Sequence, residues 1–105
     1  MYAIAILRYR RPLDEVVEVT EQHREYLRDL QDEGLLIASG PTDPRTGDIL
    51  LLNVPDDDVA GSLDHVRDGD PYVTFGLAQY EVIPWAVGIG KEDLDAVAAR
   101  QHAAR

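Results

Sequence analysis

One histidine in this chain is placed where a base could work. His23, in "EQHREYL", falls one turn after Val19 and one turn before Leu27, in the middle of an apolar stripe. A titratable ring among apolar neighbours must find a hydrogen-bond partner or cost stability. Its plainer role is a satisfied core histidine; its chemical role is general acid or base. The other two histidines are placed differently. His65 sits beside the Val59, Leu63 and Val66 stripe and reads as a surface residue, and His102 lies in a charged tail where it should be solvated.

The partner that the chain order suggests for His23 is Asp70, in "RDGDPYVTFG". The segment carrying it leads into a strand expected near the first helix, so its carboxylate could accept from one imidazole nitrogen and leave the other free. Asp70 also precedes Pro71, and Asp-Pro suits a helix N-cap followed by proline at the first helical position. One carboxylate has lone pairs for both tasks, and spacing alone does not choose between them. Further polar residues are candidates for the same pocket. Arg8, at the end of the first strand, is either a binder of an anionic group or simply solvated. Ser39, in "ASGP", is a pocket hydroxyl or part of a tight turn; Tyr26 faces the cleft or packs; Tyr72 is a pocket wall.

Several chemistries have no support. The chain has no cysteine, which removes disulfides, thiol nucleophiles and cysteine-based metal sites. No glycine-rich nucleotide loop is present: "GIG" at 88–90 lacks the rest of any fingerprint. Ser39 has no nucleophile elbow. His23, Asp70 and Glu81 have no diagnostic metal-ligand spacing, so no metal is expected. A formal charge of −10 repels phosphate backbones and argues against a nucleic-acid partner. No apolar run is long enough to cross a bilayer, and "MYAIAILRYR" is not a signal peptide, so the expected location is cytoplasmic.

The elements that must hold these residues follow from hydrophobic period. With 105 residues the chain supports one core. Residues 2–9 read as a central strand, apolar on both faces until Arg8. Asp14 is the expected N-cap of an amphipathic helix whose stripe is Val16, Val19, His23, Leu27 and Leu30, closed by Gly34. A strand at 35–41, a turn-rich loop at 42–48 and a strand at 49–54 form a hairpin. Pro55 and the aspartates 56–58 open a second helix, and 77–87 is a last strand that Pro84 assigns to an edge or a bend. The order β-α-β-β-α-β is the α+β, ferredoxin-like arrangement with an antiparallel sheet. Residues 1–87 would form this domain, and 88–105 a C-terminal helical extension lying across a partner or the chain's own sheet edge. The second sheet face is too apolar for water, so a homodimer is expected.

Three blocks carry a resemblance: the mid-helix histidine in "EQHREYLRDLQDEG", the strand "LLIASGP" and "GDPYVTFGL" before the last strand. In order and spacing, residues 1–87 resemble the YciI-like (YCII-related) family. The resemblance implies a dimeric ferredoxin-like fold and a pocket centred on a histidine–aspartate pair, at His23 and Asp70 here. Members linked to degradation of chlorinated aromatics imply cofactor-free elimination of a leaving group from a hydroquinone-like compound. The tail after Val87 lies outside the shared pattern and the 42–48 loop is a site of variation, so either can reshape the pocket entrance.

The resulting expectation is a cofactor-free, metal-free enzyme of lyase or isomerase type acting on a small polar organic molecule. His23 would move the proton, Asp70 would orient it, and Arg8, Ser39 and Tyr72 would bind the substrate. Two other readings stay open. One is a non-catalytic module that binds a small anion in the same pocket. The other is a cofactor-free monooxygenase of the dimeric α+β-barrel type, suggested by fold analogy.

Overall fold

Strand β1 (Tyr2–Tyr9) sets the two sides of the molecule. Ala3, Ala5 and Leu7 are fully buried on one face, whereas Ile4 and Ile6 are half-buried and Arg8 exposed on the other. The computed structural model describes residues 1–103, with side chains through Gln101; the expectation for His102 falls outside the described side chains. β1 pairs antiparallel with β3 (Gly47–Asn53) and with β4 (Ala78–Trp85), and β2 (Leu36–Pro41) pairs antiparallel beyond β3. The sheet order is β2-β3-β1-β4, which is the ferredoxin-like order, with β1 central and the Pro84-bearing β4 at an edge.

Helix α1 (Leu13–Asp32) buries Val16, Thr20, His23, Leu27 and Leu30, a stripe at steps of four and three. Two details differ from the sequence expectation. Thr20, not Val19, takes the inward position before His23, and Asp14 is no cap: the helix starts at Leu13 behind Pro12, leaving Asp14 in the first turn, where its charge suits the dipole. The end is as expected. Gly34 adopts φ 85°, and the bonds Leu35 N–H to Leu30 O and Gly34 N–H to Gln31 O close a Schellman motif.

The β2–β3 loop is shorter than the composition suggests, because Gly47 and Asp48 already belong to β3. Gly47 is required there: a Cβ would stand 1.9 Å from the Leu7 carbonyl oxygen. Helix α2 (Val59–Gly69) begins later than Pro55, at the Asp58 cap, whose carboxylate accepts from Gly61 N–H at 3.2 Å. Asp70 separates it from the one-turn helix α3 (Pro71–Thr74). These helices cover the face of Ala3, Ala5, Leu7, Leu50 and Leu52, and each buried leucine contributes about 1.5–3 kcal/mol.

Helix α4 (Lys91–Ala103) lies on the chain's own sheet. Tyr2 Oη donates to Asp95 at 2.6 Å and Gln101 Nε2 to the Ile37 carbonyl at 3.0 Å. Beyond it the same face leaves Ile49, Ile83 and Trp85 exposed beside half-buried Ile4, Ile6 and Leu51. Among the described residues no helix is long and apolar enough to cross a membrane.

Candidate active site

The 20-residue α1 presents Thr20 and His23 from successive positions of its buried stripe toward α3 and the sheet. Opposite, the α2–α3 junction presents Asp70. Its backbone (φ −71°, ψ 125°) ends one helix and starts the next, so capping aims the carboxylate. Oδ1 accepts from Tyr72 N–H at 2.9 Å, the N-cap bond, and from His23 Nδ1 at 2.8 Å. Both readings of Asp70 therefore hold at once. Its Oδ2 accepts from the Tyr80 hydroxyl of β4.

Asp70 is fully buried and His23 is 2% exposed. Because the carboxylate is the acceptor, Nδ1 of His23 carries a proton, and in the neutral tautomer of that kind the lone pair lies on Nε2. Nε2 is buried without a hydrogen-bond partner among the described residues. The His23 side chain lines a cavity of about 240 Å3 whose polar lining includes Thr20, Ser39, Arg45, Asp48 and Tyr72. Larger clefts open on the surface, including one of about 430 Å3 beside Tyr2 and Trp85, but the buried polar groups gather at the smaller cavity.

Tyr72 is the wall of this site. Its ring stacks on the imidazole at 3.9 Å with an interplanar angle of 11°, and meets the Tyr9 ring edge-on at 5.9 Å. Thr20 fixes its hydroxyl. The single Thr20 proton goes to the Val16 carbonyl at 3.0 Å and Arg45 Nη2 is a pure donor at 3.1 Å, so the 2.8 Å contact has Tyr72 donating to Thr20. A second polar line runs from Arg45 Nε to Tyr9 Oη at 3.3 Å, and from the Tyr9 hydroxyl to Asp48 Oδ2 at 2.7 Å. Burial is the main cause that pushes Tyr9 up to about 12. Burial, followed by the negative charge of Asp70, pushes Tyr80 far above the ordinary phenol value, so it remains a donor.

Of the sequence candidates, His23, Asp70, Ser39 and Tyr72 meet at this site. Arg8 does not. It lies on the opposite sheet face, where its guanidinium pairs with Glu81 at 2.9 Å in solvent, because adjacent strand residues point to opposite sides. The same alternation puts Tyr9 at the site instead. Tyr26 stays outside the cavity and donates to the His65 and Val66 carbonyls, both at 3.0 Å, tying α1 to α2. His65 is on the surface as expected, with Glu33 at 3.7 Å. Sequence reasoning did not find Thr20, Arg45, Asp48 or Tyr80. The signal for Tyr80 was present: it shares strand parity with the inward-facing Ala78 and Val82. Among the described residues no three His, Asp or Glu side chains gather as a metal-binding group.

Comparison with known proteins agrees with this architecture. The model of the YCII-related domain matches residues 2–86. A solved structure of 5-chloro-2-hydroxyhydroquinone dehydrochlorinase from Burkholderia phenoliruptrix AC1100, in complex with 2,5-dihydroxybenzoquinone, is similar, with a TM-score of 0.65 and 23% identity. The match covers 82% of this chain and 95% of that one, and at this identity it speaks for the fold. No curated protein matches. The sheet order and the family match over residues 2–86 converge on one conclusion: this chain belongs to the YCII-related domain family.

Proposed function

We propose that the protein is a small-molecule enzyme in which His23 moves a proton and Asp70 orients it. The observation that carries this reading is a buried histidine that lines a cavity, its Nε2 without a partner among the described residues and its Nδ1 tied to a buried carboxylate. A buried acceptor without a partner costs stability, and a substrate proton is the partner it is arranged to take. Nε2 removes a proton from carbon or from a hydroxyl oxygen. The electrons of the broken bond form a double bond, and either a leaving group departs with its bonding pair or the proton returns at another atom. The imidazolium formed meanwhile is opposed by the Asp70 carboxylate 2.8 Å away. Elimination and isomerisation are thus two outcomes of one proton abstraction. A dehydrochlorinase of the same fold supports the elimination branch. Ser39 and Tyr72 bound the substrate in this scheme. The exposed apolar residues Ile49, Ile83 and Trp85 suit a homodimer that packs open face on open face, which sedimentation of Ile83→Glu against the parent chain would test.

The direct test is chloride release from 5-chloro-2-hydroxyhydroquinone, or turnover of any substrate found by screening, in the parent chain and in His23→Gln. Proton abstraction predicts a loss of roughly a hundredfold or more in kcat. Unchanged turnover in His23→Gln rejects the reading. The same variant separates catalysis from simple binding, because a binding module keeps its affinity.

A further inference from the structure

Among the described residues Arg45 forms no ion pair, in a chain of 20 acidic residues. Arg8, Arg11, Arg24, Arg28 and Arg67 each have an acidic side chain within 4.0 Å, whereas the exposed Arg10 donates to the Gln79 amide oxygen. Arg45 instead lines the cavity, where it meets neutral hydroxyls: it donates to Tyr9 Oη and Thr20 Oγ1 and also interacts with Tyr72. None of these partners carries a charge, so the guanidinium keeps donor capacity for a planar anion.

The loop that carries it is internally braced. Thr42 Oγ1 donates to the Pro44 carbonyl at 2.8 Å and accepts from Thr46 N–H at 3.1 Å, so Arg45 is held between two tied residues. His23, whose Nε2 has no partner among the described residues, lines the same cavity. The lining therefore combines a cationic donor with a ring nitrogen that is an acceptor in the neutral tautomer protonated at Nδ1. Asp48 completes the wall. It is 6% exposed and engages the Tyr9 hydroxyl, so its negative charge sits beside the space that Arg45 serves.

We propose that Arg45 selects a monoanionic substrate: its guanidinium takes one ionised oxygen of a carboxylate or enolate, while Asp48 rejects a second negative charge. This deepens the acid–base reading by naming the substrate class of that cavity. An anion fixed on Arg45 leaves the remainder of the molecule to face Nε2. A second anionic group would lie near a buried carboxylate that forms no ion pair among the described residues, where like-charge repulsion in a weakly screened site is strong.

Benzoate, its neutral analogue benzamide and the dianion isophthalate are suitable probes, titrated into the full chain by calorimetry. The parent chain is expected to bind benzoate more tightly than benzamide by roughly tenfold, the scale of a hydrogen-bonded charge. Arg45→Gln should erase that preference without changing benzamide, and Arg45→Lys should keep part of it. Isophthalate should bind more weakly than benzoate, and Asp48→Asn should narrow that gap. Equal binding of benzoate and benzamide by the parent chain, no measurable benzoate binding, or a preference that survives in Arg45→Gln overturns the proposal. His23→Gln should retain the benzoate preference, so a failure of the catalytic reading leaves this result standing.

Discussion

Nδ1 of His23 and Oδ1 of Asp70 stand 2.8 Å apart, and neither side chain reaches solvent to any useful extent. The two residues come from elements that meet only through tertiary packing, α1 and the α2–α3 junction. Asp70 can serve them both because its position is settled by the backbone first. It caps α3, and the carboxylate aimed by that cap is the one that accepts the imidazole N–H. The Tyr80 hydroxyl occupies the other oxygen, so both oxygens of Asp70 meet a fixed donor. This arrangement selects the tautomer protonated at Nδ1 through the fold itself.

Replacing Asp70 with Asn tests that arrangement. The amide keeps one acceptor oxygen but removes the charge that opposes an imidazolium, and its NH2 group must face a donor. Turnover should fall by roughly a hundredfold or more, with a lower melting temperature. Kinetics and thermal melting on one preparation check both effects. Turnover close to that of the parent chain would show that Asp70 merely caps α3.

Thr20 and Tyr72 give a second test, on stability. Thr20→Val preserves shape but strands the Tyr72 hydroxyl in the core and removes an acceptor of Arg45. The expected cost is about 1–3 kcal/mol, the range for a buried polar group left unpaired. Tyr72→Phe strands less, because Thr20 keeps its bond to the Val16 carbonyl. The double variant Thr20→Val/Tyr72→Phe should then be more stable than the sum of its parts, as when both partners of a buried pair are removed. Urea unfolding of the four proteins measures the coupling, and strict additivity would contradict the hydrogen bond.

Much of this was legible in the chain. The 3.6-residue period located His23 on the buried stripe, and Asp-Pro located the cap. Element order gave the sheet, and Pro84 marked the edge strand. What periodicity does not report is the partner face. Arg8 and Tyr9 are neighbours in sequence, and only the register of β1 with β3 and β4 shows that Tyr9 turns toward the helices and Arg8 away from them. Thr20 was hidden because an apolar scan prefers Val19, yet a hydroxyl that bonds Val16 within its own helix is tolerated inside. Arg45 and Asp48 were hidden in a segment that reads as a turn. Composition identifies such a loop but not the direction in which it folds over the sheet, and that direction decides which charges enter the cavity.

Alkaline titration supplies a prediction with a defined sign. Tyr9 and Tyr26 are each raised from 10.0 to about 12, chiefly by burial, and Tyr80 is raised further by burial and by the neighbouring Asp70 charge. These phenols ionise more easily in the unfolded chain than in the folded one. Between the two pKa values the folded state holds more protons, so stability falls as pH increases. The contribution is intact below about pH 10 and is lost as pH rises through about 12. Tyrosinate absorbance in the folded chain should therefore develop well above the ordinary phenol midpoint, and urea midpoints should drop across the same window. Tyr80→Phe removes the group with the largest upward displacement, so its stability should decline less steeply through that range. Tyr9, Tyr26 and Tyr80 all titrating near 10 in a chain that is still folded would mean that these hydroxyls are not held in the buried positions described.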